Sequence, residues 1–332
     1  MANSSDWFAG VAIPLEEGVN ESFLWFSLHW RPYFQVAREP LTVFIEAVSN
    51  LLVGLPPPLV LAALFFATWQ LNGVVSAVFL VALATFVGVI GIWSEMMETL
   101  SLILVAVSLC LAVGLPLGLL AARSVRFDNA IRPILDLMQT LPAFVYLVPI
   151  VLLVGIGDLP GVLVTFVFAV PPTIRLTTLG IRSVPPTMVE AATALGASTR
   201  QVLFKVEVPQ AMPSILAGIN QTIMMALAMV TYASMIGVGG LGRLVLRGIG
   251  RLDMGLATVG GIGIVALAII FSALIRTDRR AAPGPDWAKS PTALFVTLIS
   301  LIRPGSTDAA RPNAPQRSPQ ALTNGETSNV SP

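Results

Sequence analysis

Seven long apolar runs, at roughly 56–70, 74–93, 98–122, 140–157, 160–175, 213–236 and 255–275, leave this chain few folds to adopt. A helix needs about 20 apolar residues to cross the hydrocarbon of a bilayer, within a range of about 17–25. Every backbone N–H and C=O inside hydrocarbon must be bonded within the protein, so spanning segments are helices or closed barrels. These runs are continuous rather than alternating, which selects helices. Composition agrees: 55% of the 332 residues are hydrophobic, 11% are charged, and mean hydropathy is +0.83. Soluble domains carry about 25% charged residues. The expectation is an all-α integral membrane protein with about seven transmembrane helices. The first and fifth runs are short, which suits tilted, fused or partly re-entrant segments. Pro116, Pro149 and Pro171–Pro172 interrupt others, and such breaks persist in lipid where neighbouring helices satisfy the freed groups.

The same inventory removes several kinds of chemistry. A single cysteine, Cys110, lies in an apolar run, and a single histidine, His29, stands between Leu28 and Trp30. Neither a disulfide framework nor a metal site is expected from these. A net charge of +1 gives nucleic acid no global attraction. No cleavable signal is visible in the first 40 residues, which carry acids and aromatics instead of a basic segment and an apolar core.

Lysine and arginine set the expected orientation. Loop 123–136 holds Arg123, Arg126 and Arg132; stretch 175–212 holds Arg175, Arg182, Arg200 and Lys205; the last run ends at Arg276, Arg279 and Arg280. With seven spans all three fall on one side, taken as the cytoplasm. The N-terminal segment, with Asp6, Glu16, Glu17, Glu21 and Glu39, is then outside. Loop 237–254 disagrees, since Arg243, Arg247 and Arg251 fall outside by the same count. In 41–55, Leu41, Phe44, Ile45, Val48, Leu51 and Leu52 repeat at helical spacing. That amphipathic helix suits either the membrane interface or packing on the protein's own bundle. From 277 to 332 the composition shifts to Pro, Ala, Ser, Asn and Arg, the pattern of a disordered tail; within it 292–302 is too short to span.

One polar stretch between spans is punctuated like folded structure. Thr187 and Glu190 fit a capping box, Gly196 follows Leu195 where a left-handed cap is wanted, Ser198 and Gln201 repeat the box, and Pro209 is placed to stop a second helix. Two short helices joined at Gly196 are expected. Only two basic residues lie within 187–209, so a DNA-reading helix pair, which must neutralise phosphates, is disfavoured. A helix pair at a membrane surface suits docking into a partner's groove.

This segment resembles the signature of type I permeases of ATP-binding-cassette importers: E-A-A, three residues, G, nine residues, I-x-L-P. The matching positions are Glu190, Ala191, Ala192, Gly196, Val206, Val208 and Pro209, with valine at both aliphatic positions. Residues 134–149, 212–230 and 233–261 resemble the branch that carries glycine betaine, proline betaine and related quaternary amines. The resemblance, from about 40 to 275, implies several things. A type I core would span 94–276, with a coupling loop at 176–212, two accessory helices in 56–93 and an extracytoplasmic segment in 1–55. Partners would be an ATPase subunit at the loop, an extracytoplasmic substrate-binding protein and a second copy of the chain. ATP and Mg would bind the ATPase, leaving this chain without a cofactor, in the inner membrane, its N-terminus outside and its C-terminus cytoplasmic. Choline, carnitine or ectoine are alternative cargoes. Ala191 and Ala192 would keep the docking helix slim, and Glu190 would either cap it or pair with a basic group of the ATPase.

Other motifs fit this frame. No lysine stands in a P-loop, since Lys205 precedes Val206 and Lys289 follows Ala288. Residues 237–242, GVGGLG, match G-x-G-x-x-G, but a dinucleotide site needs a strand before it. Gly237, Gly239, Gly240 and Gly242 instead read as a flexible turn leaving the bilayer, which the resemblance places near an outer gate. Asn220, Gln221, Thr222, Thr231, Tyr232 and Ser234 are the densest polar group inside a run. They suit pathway lining or helix–helix hydrogen bonding. Phe144, Tyr146 and Tyr232 show no aromatic cage in the sequence. An ion-coupled secondary transporter is the rival class, but neither inverted repeats nor a deep acid in the later spans is apparent.

Overall fold

The structure is a computed structural model that describes residues 15–275. The tail after 277, the apolar segment 292–302 and Asp6 lie outside the described residues. Among the described residues twelve α-helices follow one another: α1 Leu15–Gly54, α2 Pro57–Asn72, α3 Val74–Val89, α4 Trp93–Arg123, α5 Val125–Thr140, α6 Ala143–Val154, α7 Asp158–Arg182, α8 Pro186–Ala194, α9 Thr199–Val202, α10 Val208–Ser234, α11 Leu241–Arg251 and α12 Met254–Ile275. There is no strand among the described residues. By length and composition α4, α7, α9 continued into α10, and α12 can each cross a membrane. The end of α1 with α2, and α5 with α6, pass as pairs bent by 97°, while α3 is a shorter apolar helix.

Each apolar run holds a helix, but two runs and the amphipathic 41–55 segment are built differently from expectation. The fifth is not short: α7 has 25 residues and passes through Pro171 and Pro172, both buried. The fourth is broken. Leu141 is extended (φ −68°, ψ 134°) ahead of Pro142, so α5 stops and α6 starts afresh; a residue before proline avoids helical geometry. The helix expected at 41–55 is the end of a 40-residue α1. Ile45 and Val48 reach the core, while Leu41, Phe44 and Leu51 stay exposed.

The core lies where α4, α7 and α10 pack, with α11 and α12 against them; Met97, Ile103, Leu241 and Leu267 are fully enclosed. Glycines bring α4 against α7. A Cβ at Gly114 would meet Thr173 at 2.9 Å, and one at Gly118 would meet the Thr177 Cβ at 2.7 Å. Small residues let membrane helices approach closely enough for dispersion to hold them without a hydrophobic drive.

The two ends of α4 sort the connections. At its start, Thr99 and Glu98 meet the 237–242 turn and Arg243. At its finish, Ala121, Ala122 and Arg123 meet Arg182 and Glu207. Asn72 likewise donates to the Ala273 carbonyl. The start of α4 and the 237–242 turn thus share one end, and the finish of α4, the end of α7 and the 203–207 turn share the other, as an alternating chain requires.

Candidate functional site

The polar stretch 185–209 forms the expected helix pair, with different chemistry at two points. No capping box forms at Thr187 and Glu190. Helix α8 begins at Pro186 behind Pro185, with no side-chain cap. Proline at the first helical position lacks the N–H that would need a partner, and its ring presets φ. Glu190 is thereby left exposed and unoccupied by the cap. At the other end Gly196 is left-handed (φ +82°). Its N–H donates to Thr193 O at 2.9 Å and the Ala197 N–H donates to Ala192 O at 3.1 Å. That is a Schellman closure, with both orphan carbonyls satisfied.

The second capping box does form. Gln201 N–H donates to Ser198 Oγ, and Ser198 N–H donates to Gln201 Oε1. Pro209 does not end the helix that follows. Residues Leu203–Glu207 form a π-turn, in which the Val208 N–H reaches five residues back to Leu203 O, and α10 continues from there. Proline has no N–H to contribute, so the ladder has a gap at 209 in any case. The wider turn absorbs it. The loop's second helix is therefore continuous with a span.

Little of the loop is buried. Helix α8 buries no residue, Leu195 is 90% exposed and Phe204 is 60% exposed. Its base is tied down by charge. Arg123 pairs with Glu207 at 2.7 Å. Arg182 donates to the Ala121 and Ala122 carbonyls, the orphan acceptors at the end of α4. It also meets Asp128 Oδ2 at 2.7 Å, which Arg132 reaches from one turn along α5. Asp128 lies in the first turn of α5, within the 123–136 stretch that the sequence sets outside the apolar runs. Burial pushes its carboxyl upward, but the hydrogen bonds and charges of Arg132 and Arg182 outweigh this and hold it below the ordinary value. Asp128 and Arg132 stand i, i+4 on α5, whereas Arg182 comes from α7.

The glycine turn is packed rather than flexible. Leu241 N–H donates to Thr99 Oγ1 at 2.8 Å, and that hydroxyl donates to Glu95 O. Gly240 has φ +84°, and a Cβ there would strike Thr99 Oγ1. A Cβ at Gly239 would strike Glu98, and one at Gly242 would strike Ser234 and the Val230 carbonyl. Gly237 is left-handed, and the neighbouring Ile236 carbonyl accepts from Gly157. Beyond it the sequence reading missed α11, whose Leu241, Leu244 and Gly248 are buried and whose Arg243, Arg247 and Arg251 are exposed. Alongside lies a cleft of about 350 Å³ lined by Ser49, Asn50, Glu98, Ser101, Asp158 and Arg243 among others.

The six polar positions of α10 divide. Thr222 is fully buried, 2.7 Å from Thr173 Oγ1 of α7, and Ser234 is buried with its hydroxyl on Val230 O. Asn220 and Thr231 are half-buried, and Asn220 Oδ1 has no partner. Gln221 and Tyr232 are exposed.

A bundle of crossing helices with an exposed helix pair rooted directly in one of them is the architecture of a multi-pass membrane permease. The comparisons make this specific. The model of the family described as binding-protein-dependent transport system inner membrane component matches residues 114–277. The chain is 52% identical over 288 residues to the glycine betaine/proline betaine transport system permease protein ProW of Escherichia coli K12, covering 86% of this chain and 81% of that one. It is 40% identical over 258 residues to the glycine betaine transport system permease protein OpuAB of Bacillus subtilis 168, covering 77% and 91%. A chain of the inward-facing methionine ABC transporter MetNI shares the fold at a TM-score of 0.50 and 22% identity, covering 58% of this chain and 97% of that one. The chain belongs to the family of binding-protein-dependent inner-membrane transport components, the permease subunits of ABC importers.

Proposed function

We propose that this chain carries glycine betaine, proline betaine or a related quaternary amine across the inner membrane, powered by a partner ATPase seated on the 176–212 loop. The observation that carries the mechanism is the continuity of that loop with α10 through the π-turn. A push on α9 reaches a span without leaving helix, and α8 is tied to α9 through the hydrogen-bonded turn at Gly196. Exposed Leu195, Phe204 and Met188 supply apolar contact for a groove, and Glu190, free of a cap, is available to a basic group. Ala191, Ala192, Gly196 and Pro209 shape the docking element. The substrate class rests on the 52% identity to a permease bearing that name.

In this reading the loop end faces the cytoplasm, as does the C-terminus, and the glycine turn and N-terminus face outside. Gly237, Gly239, Gly240 and Gly242 form the outer gate turn, which an extracytoplasmic binding protein addresses. Two copies build the pathway. Asn220, Gln221, Thr231 and Tyr232 line it, with Thr222 and Ser234 behind them. The core is 94–276, with 56–93 accessory and 1–55 outside. ATP and Mg belong to the ATPase, and this chain holds no cofactor. Reconstitution in proteoliposomes with the ATPase and binding protein tests the reading: labelled glycine betaine uptake should require internal ATP. Uptake that follows an ion gradient and ignores ATP would reverse it.

A further inference from the structure

Two aromatic side chains distant in sequence meet beside the break between α5 and α6. Phe144, in the first turn of α6, and Tyr232, near the end of α10, have ring centroids 5.4 Å apart and planes at 72°. Every other ring pair among the described residues lies in α1 or α2. Ala143, next to Phe144, and Met229, about one turn before Tyr232, belong to one buried cluster that joins the two helices. The rings themselves stay open, at 47% exposure for Phe144 and 38% for Tyr232.

In this T-shaped contact one ring's edge meets the other's face, and the standing ring's face and the uncovered part of the other border one corner, two walls of a cage. A cation is held when it lies within about 6 Å of a ring centroid. At this separation one methylated ammonium reaches both. Neither α6 nor α10 contains Asp or Glu, so the rings are the groups on these helices suited to a positive end. The position also argues against hydrocarbon on the open side. Leu141 and Pro142, extended and exposed, lie next to Phe144. Non-helical backbone at membrane depth is tolerated where it is buried or lines a cavity, and transporter sites form at such discontinuous helices.

We propose that Phe144 and Tyr232 form a passing station for a quaternary ammonium group on the translocation pathway. The inference rests on the substrate class proposed above. Rings without a carboxylate hold a zwitterion weakly enough to release it, as a pathway requires.

The test uses the complete transporter, with its ATPase and binding protein, in proteoliposomes. Phe144→Leu and Tyr232→Leu should each lower uptake at sub-saturating substrate by about 2- to 30-fold, the span of measured cation–π strengths. Tyr232→Phe should retain most uptake. Replacing Phe144 by phenylalanines of rising fluorine content keeps the ring's shape while draining its face, so folding is preserved. Uptake should fall stepwise along that series. Uptake insensitive to fluorination, or unchanged in both leucine variants, would make the pair a lipid-facing contact and overturn the site. Wild-type uptake separates the two readings: if it carries no quaternary amine, the substrate class fails; if it does and the rings are indifferent, only the station fails.

Discussion

Gly196 offers the sharpest measure of whether the loop's shape matters to transport. Its φ is +82°, and a Cβ built there meets nothing within 4 Å. Any cost of a side chain is therefore conformational and not steric. For alanine the left-handed region costs about 1–2 kcal/mol. A population of correctly folded loop would fall by roughly 5- to 30-fold relative to alternatives. Asparagine tolerates this region, so Gly196→Asn should cost less than Gly196→Ala. Proline is worse on three counts. Its φ is fixed near −65°, about 150° away. It removes the N–H that donates to Thr193 O. It also disfavours the near-helical backbone of Leu195 (φ −80°, ψ 6°). The loop is exposed, so membrane insertion and yield should be unchanged throughout. ATP-driven uptake, with co-purification of the ATPase as second readout, should rank Gly, Asn, Ala, Pro, with Pro near zero. Normal uptake by the proline variant, or equal losses for Asn and Ala, would refute the argument that a left-handed turn sets the loop.

Three further outcomes follow from the packing. Thr99→Val should leave the buried Leu241 N–H without its acceptor, destabilising the protein by about 1–3 kcal/mol; hydrogen exchange at Leu241 should quicken in Thr99→Val and not in Thr99→Ser. Gly118→Ala should push α4 off Thr177 and cost about 1–3 kcal/mol, read as a lower unfolding temperature in detergent, with a larger loss than for Gly250→Ala, where a Cβ meets open space. Because Asp128 has a lower pKa folded than unfolded, its contribution is complete above about pH 4 and is lost as pH falls through the folded value; Asp128→Asn should flatten that part of the stability profile.

What the sequence disclosed and what it withheld divide along a physical line. Period and hydropathy are local, and they located a helix in every apolar run. The Ser198 box and the Gly196 turn were legible because each is closed by atoms within a few residues. The Thr187 box failed because Pro185 and Pro186 supply a start of their own, and competing local signals cannot be ranked by pattern. Pro209 misled for a related reason: a proline ends an isolated helix, but a π-turn lets a packed one continue. The glycine turn read as flexible from composition. Its order comes from Thr99 and Glu98, more than a hundred residues upstream.

The ring pair and the arginine network share one property that hid them. Phe144 with Tyr232, Arg182 with Asp128 and Arg123 with Glu207 each join helices that no periodicity relates. They also stand at the places where apolar runs stop being regular helix: the 97° bend at Leu141–Pro142 and the end of α4 under the loop. Regular helix in lipid is satisfied by itself and needs only shape from its neighbours. Irregular backbone needs partners, as the Arg182 contacts to the Ala121 and Ala122 carbonyls show. The loop's Glu207 sits in the π-turn that roots α10, and Tyr232 lies on the same helix as it approaches the glycine turn. One continuous helical element thus runs from the exposed loop to Tyr232, from the docking surface proposed above to the proposed ring station. That continuity is why a substitution in the exposed loop, touching no substrate, is expected to abolish uptake.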